Sequence, residues 1–411
     1  MPDFGTAFSG LASDRKLTKS EKEVQMSLKD KYAIVGVGYT PQGRVPGRTA
    51  MSFHVEAISN AVRDAGLKRE DIDGLICYRH FDSVNGEADI TPYLVAQQVG
   101  IAPRMMSQEA NCARSQLISA LGWLEAGLCN YVVISYAYNP NADPSLFARI
   151  ADNLTSNVFG QFGATADYAM AARRAMHVFH TGPETWKHIA VGQRKWANLN
   201  PAAQMYEQKV TFDDYYKSRL IVEPFSLLDN CLITDGGRAC VITSAERARD
   251  LRHPVVTIMG VGGHNPSSSI EKSTIMAGPT GARESGKTAL RMAGITLDDI
   301  DACEIYDCFT YTVEITLQDY GFFQSGEGED WLKGGTIEPG GRMPVNTSGG
   351  LLSEAYFMGL TPLTEGVMQL MGRCGDRQLG PRTHTKEPQI ILCSDNGAIL
   401  QTHATTILRR L

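Results

Sequence analysis

From about residue 29, short apolar runs alternate with longer amphipathic stretches. Lys31–Gly38, KYAIVGVG, is a continuous apolar run ending in glycine, the pattern of a strand covered on both faces. Ser52–Ala65 carries apolar residues at helical spacing and meets a stop signal at Gly66. Ile72–Cys77 is a second strand. The loop His80–Asp89 and a helix from Thr91 to Val99 follow. Asn111-Cys112-Ala113 leads into a helix over Gln116–Leu128, and Tyr131–Ser135 is a third strand. Strands alternating with helices predict an α/β fold with a mainly parallel sheet. Residues 139–228 break the rhythm. They are rich in Asn, Phe, Tyr and Trp, with helices predicted over Ala164–Thr181 and Pro183–Asn198, and read as a mostly helical insert. Gly236–Thr243 returns as a strand.

The alternation then begins again, with strand Val255–Gly260, helix Lys287–Gly294 and strand Asp301–Tyr306. The segment AVRDAGLKREDIDGLICY (61–78) aligns without gaps to ALRMAGITLDDIDACEIY (289–306), and eight of the eighteen positions are identical. They include Ala61/Ala289, Gly66/Gly294, Asp73/Asp301 and Tyr78/Tyr306. A duplicated unit constrains the architecture more than any single motif. It divides the chain into an N-terminal extension (1–28), a first half (29–250) holding the insert, and a second half (251–411). It also makes Asn111–Ser115 equivalent to Ser348–Leu351, where a helix predicted over Leu351–Leu370 begins. Two such helix ends, with free amide groups and positive dipole ends, would favour an anion between them.

The 411 residues suffice for two or three domain-sized units, and 43% hydrophobic with 20% charged residues is ordinary globular composition. A net charge of −6 argues against nucleic acid as the main partner. No apolar run approaches the ~20 residues of a membrane span. The N-terminus lacks the features of a secretory signal. Nine cysteines, with no CxxC pair, predict free thiols in a reducing cytoplasm and no metal site.

Cys112 opens a predicted helix, a position that lowers a thiol pKa and creates a nucleophile; the competing reading is a buried structural cysteine. Cys393 is the other thiol of interest. Tyr306, Asp307 and Cys308 end a strand in EIYDCFT, and strand C-termini are where α/β sheets build sites. A tyrosine there can donate a proton or stabilise an oxyanion; Asp307 is a candidate acid/base or the N-cap of the next helix. The turn Asn346-Thr347-Ser348-Gly349-Gly350 brings backbone amides to the start of the Leu351 helix, with Tyr356 close behind. Asn396-Gly397 has the composition of a tight turn, and His403 reads as structural. GARESGKT (281–288) fits the phosphate-loop pattern, but no strand precedes it as that loop requires. Gly36 and Gly38 read as a strand-end turn.

The duplicated halves, a cysteine at a helix start and Gly349-Gly350 followed by Tyr356 and Gly359 resemble the thiolase superfamily over about residues 29–411. EIYDCFT and VNTSGGLLSEAYFMGL are the specific stretches, and the sterol-carrier-protein-type thiolases with their aldolase relatives are the most similar branch. The resemblance implies a five-layered αβαβα core with an inserted loop domain, a homodimer, and acyl-coenzyme A thioesters as substrates, with coenzyme A as cosubstrate and no bound cofactor. It places Cys112 at the thiolase nucleophile. Tyr306 stands where thiolases carry the asparagine of NEAF, or histidine in many sterol-carrier-type members. Tyr356 stands where they carry the histidine of GHP, and Cys393 or Asn396 near their second cysteine. Ser348, Gly349, Gly350, Asn396 and Gly397 then bind substrate and oxyanion. Two chemistries follow: thiolysis of a bulky or branched β-ketoacyl-CoA through acylated Cys112, or retro-aldol cleavage of a β-hydroxyacyl-CoA by the tyrosine pair. The second resembles the steroid side-chain aldolases, which work with a small zinc-ribbon/OB-fold partner. A third reading is a non-catalytic acyl-CoA- or lipid-binding subunit.

Overall fold

The structure is a computed structural model that describes residues 28–78, 90–109, 115–142, 158–161, 163–266 and 276–411. The extension before residue 28, the 79–89 loop and Cys112 lie outside the described residues.

In chain order the principal elements are β1 (Tyr32–Tyr39), α1 (Ala50–Asp64), β2 (Gly74–Tyr78), α2 (Pro92–Val99), β3 (Met105–Glu109), α3 (Leu117–Glu125) and β4 (Tyr131–Tyr138). The insert region holds α4 (Gly163–Phe179), α5 (Pro183–Ala197) and the small pair β5 (Leu220–Val222) and β6 (Phe225–Ser226). Then come β7 (Gly236–Ser244), β8 (Val256–His264), α6 (Ala282–Ala293), β9 (Ala302–Glu304), α7 (Thr310–Tyr320), α8 (Gly350–Ser353), α9 (Leu360–Leu370), β10 (Ile390–Gly397) and β11 (Thr402–Arg410).

Local sequence sets the helix ends. Thr49 and Ser52 form a reciprocal capping box before α1, and Thr91 caps α2. Gly66, Gly100 and Gly294 follow helices in the left-handed conformation. Among the described residues, nine strands form one mixed sheet in the order β3-β2-β4-β7-β1-β8-β11-β10-β9. Within the sheet the two halves are joined at Ala33–Thr257 and Ile34–Val256. Outward from that seam each half repeats the same order, and an isolated parallel bridge from Cys303 to Val345 stands in the second half where β3 stands in the first. The repeated aspartates do the same work. Asp73 accepts from the amides of Asn130 and Tyr131 at the start of β4 (2.8 Å each). Asp301 accepts from Gln389 and Ile390 at the start of β10 (2.7 and 3.0 Å).

Alternation along the strands distributes side chains among layers. Val133 and Val241 face α1 and α2, whereas Ile134 and Ile242 face α3 and α9. In the second half Ile391 and Leu408 face α9, while Leu392 and Ile407 face α6 and α7. Helices thus cover both outer faces and fill the space between the half-sheets, giving five layers.

Several expectations change. Gly36 and Gly38 are not a strand-end turn but lie within β1, where helix α1 comes so close that a Cβ on Gly38 would sit 1.9 Å from the Ala57 carbonyl oxygen. Gly262 does the same for Ser285 of α6, at 2.0 Å. GARESGKT is the body of α6 and its approach, not a loop; Lys287 pairs with Glu284 on the surface. Asn396-Gly397 belongs to β10 and the reversal falls on Ala398, Ile399 and Leu400, all with positive φ. The helix over Leu351–Leu370 is broken into α8 and α9, because residues 354–359 turn to anchor Glu354, Tyr356 and Phe357 in three different directions. Periodicity does not reveal that break, since Glu354, Thr361, Glu365 and Gln369 keep a helical spacing across it. No helix among the described residues is long and apolar enough to cross a membrane.

Candidate active site

Strand β9 stops at Glu304, two residues before the predicted end, because the next amides leave the ladder. Ile305 N–H donates to Asn346 Oδ1 (2.6 Å) and Tyr306 N–H to Ser394 Oγ (3.1 Å). Tyr306 thereby leaves the sheet at its C-terminal edge. Its hydroxyl meets that of Tyr356 at 2.8 Å, with the rings edge-on. Tyr356 sits on the irregular stretch between α8 and α9, and its N–H donates to Thr234 Oγ1 (2.9 Å). The two residues, fifty positions apart, form one hydrogen-bonded pair.

The surroundings are apolar and aromatic. Tyr168, Phe309, Leu351 and Leu400 pack around the pair, with Met358, Ile399 and Cys231 partly buried beside them. Burial pushes both phenols above the usual tyrosine range. For Tyr306 the neighbouring Tyr356, Cys308 and Tyr168 add to the effect. For Tyr356 Cys231 adds to it, whereas the hydrogen bond with Tyr306 works the other way. Both tyrosines therefore rest protonated. Burial also pushes the Cys308 thiol up to about 12.

Asn396 reaches the same cluster from β10. Its Oδ1 accepts from the Tyr168 hydroxyl (3.1 Å), and its Nδ2 is buried with no partner. A buried donor left unpaired costs about 1–3 kcal/mol. Gly397 follows in the strand, paired with Thr402.

The helix start at Gly350 differs from expectation. Asp307, fully buried, accepts from the amides of Leu351 (2.8 Å) and Leu352 (3.1 Å). It caps α8 rather than the helix that follows it in sequence. The Gly350 amide goes to Ser348 Oγ and that of Gly349 to the Asn346 carbonyl. The amides expected to hold an external oxyanion are thus bonded within the protein, with Asp307 as the acceptor for those of Leu351 and Leu352. Burial pushes its carboxyl up, opposed by those two amide bonds. Gly350 has φ of 61°, and a Cβ there would lie 2.2 Å from Asp307 Oδ2, so only glycine fits.

Cys393 is not brought to the tyrosines. It lies on the opposite face of β10 from Leu392, against α9, where its thiol contacts the Pro362 carbonyl (3.6 Å) and burial pushes its pKa up. That leaves it no role as an acid or base beside the pair. His403 is buried with Nδ1 on Ser285 Oγ (2.9 Å).

Other residues at the site escaped the sequence reading. Tyr168 lies on α4, and nothing in its local sequence sets it apart. Behind the Asn346–Gly350 turn, the Thr347 hydroxyl bridges Glu304 (2.7 Å) and Glu365 (2.9 Å). Arg377 grips Glu365 through Nε and Nη2 (3.0 and 2.9 Å). Against burial, this guanidinium holds the Glu365 carboxyl down; burial and then the Glu365 charge push Glu304 up. Arg238, a cation inside the buried strand β7, was the legible signal that went unused. Among the described residues no cluster of His, Cys, Asp and Glu is arranged to hold a metal ion.

Comparison with known proteins places this geometry in a family. Residues 262–410 match the model described as "Thiolase C-terminal domain-like". The chain is 34% identical over 367 residues to the 17-hydroxy-3-oxo-4-pregnene-20-carboxyl-CoA lyase of Mycobacterium tuberculosis, spanning 84% of this chain and 92% of the relative. The chain belongs to the thiolase superfamily. Within it, an acetyl-CoA acetyltransferase of Methanothermobacter thermautotrophicus is 28% identical over 84% of this chain and 92% of its own length. The solved structure of the Ltp2-ChsH2(DUF35) aldolase superposes with a TM-score of 0.83 at 30% identity, covering 93% of this chain and 98% of that one. This thiolase-superfamily member is thus an enzyme whose relatives include lyases, aldolases and acyltransferases, and its chemistry concerns carbon–carbon bonds. The aldolase side of that group is the more similar.

Proposed function

We propose that this protein is a lyase that cleaves a bulky or branched β-hydroxyacyl-CoA by retro-aldol reaction. The observation that carries the reading is the partly buried Tyr306–Tyr356 hydrogen bond. A pair held neutral by burial acts as a proton relay and not as a resting tyrosinate. The substrate β-hydroxyl gives its proton to Tyr356 Oη, which passes its own to Tyr306 as Tyr306 releases its proton toward Cα, so neither phenol ever carries two. The Cα–Cβ bond breaks, its electrons moving onto the thioester as an enolate, while the former hydroxyl carbon becomes a carbonyl. Tyr306 returns a proton to Cα, so the net reaction moves one proton and consumes no free coenzyme A. Asn396 Nδ2 donates to the thioester oxygen, where charge collects. Gly397, which follows it, lets the strand approach the substrate, and Ser348, Gly349, Gly350 and Asp307 hold the adjoining helix end in place.

Two further elements belong to this reading. The protein acts as a homodimer, and it takes a small zinc-ribbon/OB-fold partner; the similarity to an aldolase solved as a two-component complex supports the second. A cytoplasmic site of action agrees with the free thiols.

The alternative is thiolysis through Cys112, favoured by the cysteine in that sequence context and by the acetyltransferase relative. The two separate cleanly. In the lyase, Tyr356→Phe and Tyr306→Phe each lower kcat by about 100- to 10,000-fold, Cys112→Ser stays near wild type, and the carbonyl product forms without added coenzyme A. Cleavage that requires coenzyme A and is lost in Cys112→Ser would overturn the proposal.

A further inference from the structure

Resting on the lyase reading, we infer that Arg238 is a positioning residue for Tyr356: a buried cation that sets the direction in which the broken α8–α9 segment presents its phenol. Arg238 lies in β7 and is 1% exposed. Its Nη2 donates to Glu354 Oε1 (2.5 Å) and to Gln42 Oε1 (3.3 Å), and its Nη1 to Thr364 Oγ1 (2.9 Å) and the Thr361 carbonyl (3.4 Å). The guanidinium is sandwiched between the rings of Tyr39 (4.7 Å) and Phe357 (5.0 Å). Glu354 and Phe357 flank Tyr356, two residues before and one after. A single side chain therefore grips the segment on both sides of the phenol, and through Thr361 and Thr364 it also holds the first turns of α9.

A second brace comes from the same region of the chain. Thr234 Oγ1 accepts from both Tyr356 N–H (2.9 Å) and Gln204 Nε2 (2.6 Å), and the Gln204 N–H donates to the Glu354 carbonyl (3.0 Å). These contacts replace the helical hydrogen bonds that the segment gives up between α8 and α9. They turn the Tyr356 side chain toward Tyr306 while Phe357 goes into the core between the half-sheets.

Stability alone does not account for this ion pair. Arg238 Nε and Glu354 Oε2 are buried without partners, so the pair is singly bonded and incompletely satisfied. An apolar pair of similar volume is often neutral or stabilising in such a place. What it would not supply is direction: the planar fork fixes the angle of four hydrogen bonds and two ring contacts at once.

The test uses the whole protein labelled with fluorotyrosine, with the Tyr306 and Tyr356 fluorine NMR signals assigned through the two Phe variants. In Arg238→Met both signals shift while that of exposed Tyr93 stays, and kcat for β-hydroxyacyl-CoA cleavage falls about 100-fold with KM nearly unchanged. Arg238→Lys, which keeps the Glu354 contact but loses the fork, gives intermediate values for both. Should Arg238→Met fail to fold with Glu354 left uncompensated, Arg238→Met/Glu354→Met carries the same expectation. Folded variants whose two tyrosine signals and kcat match wild type overturn the inference. A wild-type protein without lyase activity whose signals still shift refutes the lyase reading and leaves the positioning role standing.

Discussion

Glu314 shows how a single buried carboxyl couples the insert to the second half. It lies on α7 and accepts from Trp186 Nε1 of α5 (2.7 Å) and from the Thr181 hydroxyl. Burial pushes its pKa from 4.5 to about 7, opposed by those two bonds. The folded state therefore holds a proton that the unfolded state releases. The resulting stabilisation is fully present below about pH 4.5 and is lost as pH rises through 7. Urea unfolding across this range should show wild type losing stability relative to Glu314→Gln, whose amide does not titrate; parallel curves would refute the assignment. Tyr306 and Tyr356 are residues of the same kind, with ionisation shifted mainly by burial. Their identity was legible in EIYDCFT and SEAYFMG, but their protonation was not. No spacing reveals which side chains will surround a phenol.

At the scale of elements, the most specific feature is the close approach of β1 to α1 and of β8 to α6. A methyl group on Gly38 or Gly262 would penetrate a helix carbonyl, so neither Gly38→Ala nor Gly262→Ala can be absorbed by a rotamer change. Each should destabilise by about 3 kcal/mol or more, measured as a fall in the denaturation midpoint, and the two should agree because the repeat places them in equivalent settings. A cost under about 1 kcal/mol for either would mean that the helix moves away. The break between α8 and α9 is the opposite case. Its residues favour a helix locally, and tertiary contacts from Arg238, Thr234 and Asp307 override that preference. The hairpin after β10 departs similarly. Asn396 serves the strand and the site, so the positive φ angles fall on Ala398, Ile399 and Leu400, at a cost of about 1–2 kcal/mol per residue.

For the whole molecule, α9 is the element that makes two halves one body. Leu363 and Val367 pack into the core shared by strands of both half-sheets, whereas the sheet itself is continuous through only two residue pairs at the seam. Leu363→Ala should cost about 2–5 kcal/mol. It should also lower hydrogen-exchange protection in β4 and β10 together. Loss confined to one of these strands would show that the halves unfold separately. The insert helices α4 and α5 close the aromatic cluster over the tyrosines, so that a site formed at one strand end is enclosed by residues from three parts of the chain.

Taken by itself, the sequence determined the α/β class, the duplication, many of the strands and helices though not β3 or α7, and singled out the two tyrosines. Those properties are local or are repeated along the chain, and periodicity, helix stops and a gapless alignment register them directly. The tertiary structure alone decided which groups meet. It gave the α8 amides to Asp307, turned Cys393 into the core, joined Asn396 to Tyr168 and set Arg238 across the break that carries Tyr356. The physical reason is range. Hydrogen bonding and burial at this site join residues tens to hundreds of positions apart, and a buried polar group finds its partner only once the layers have packed.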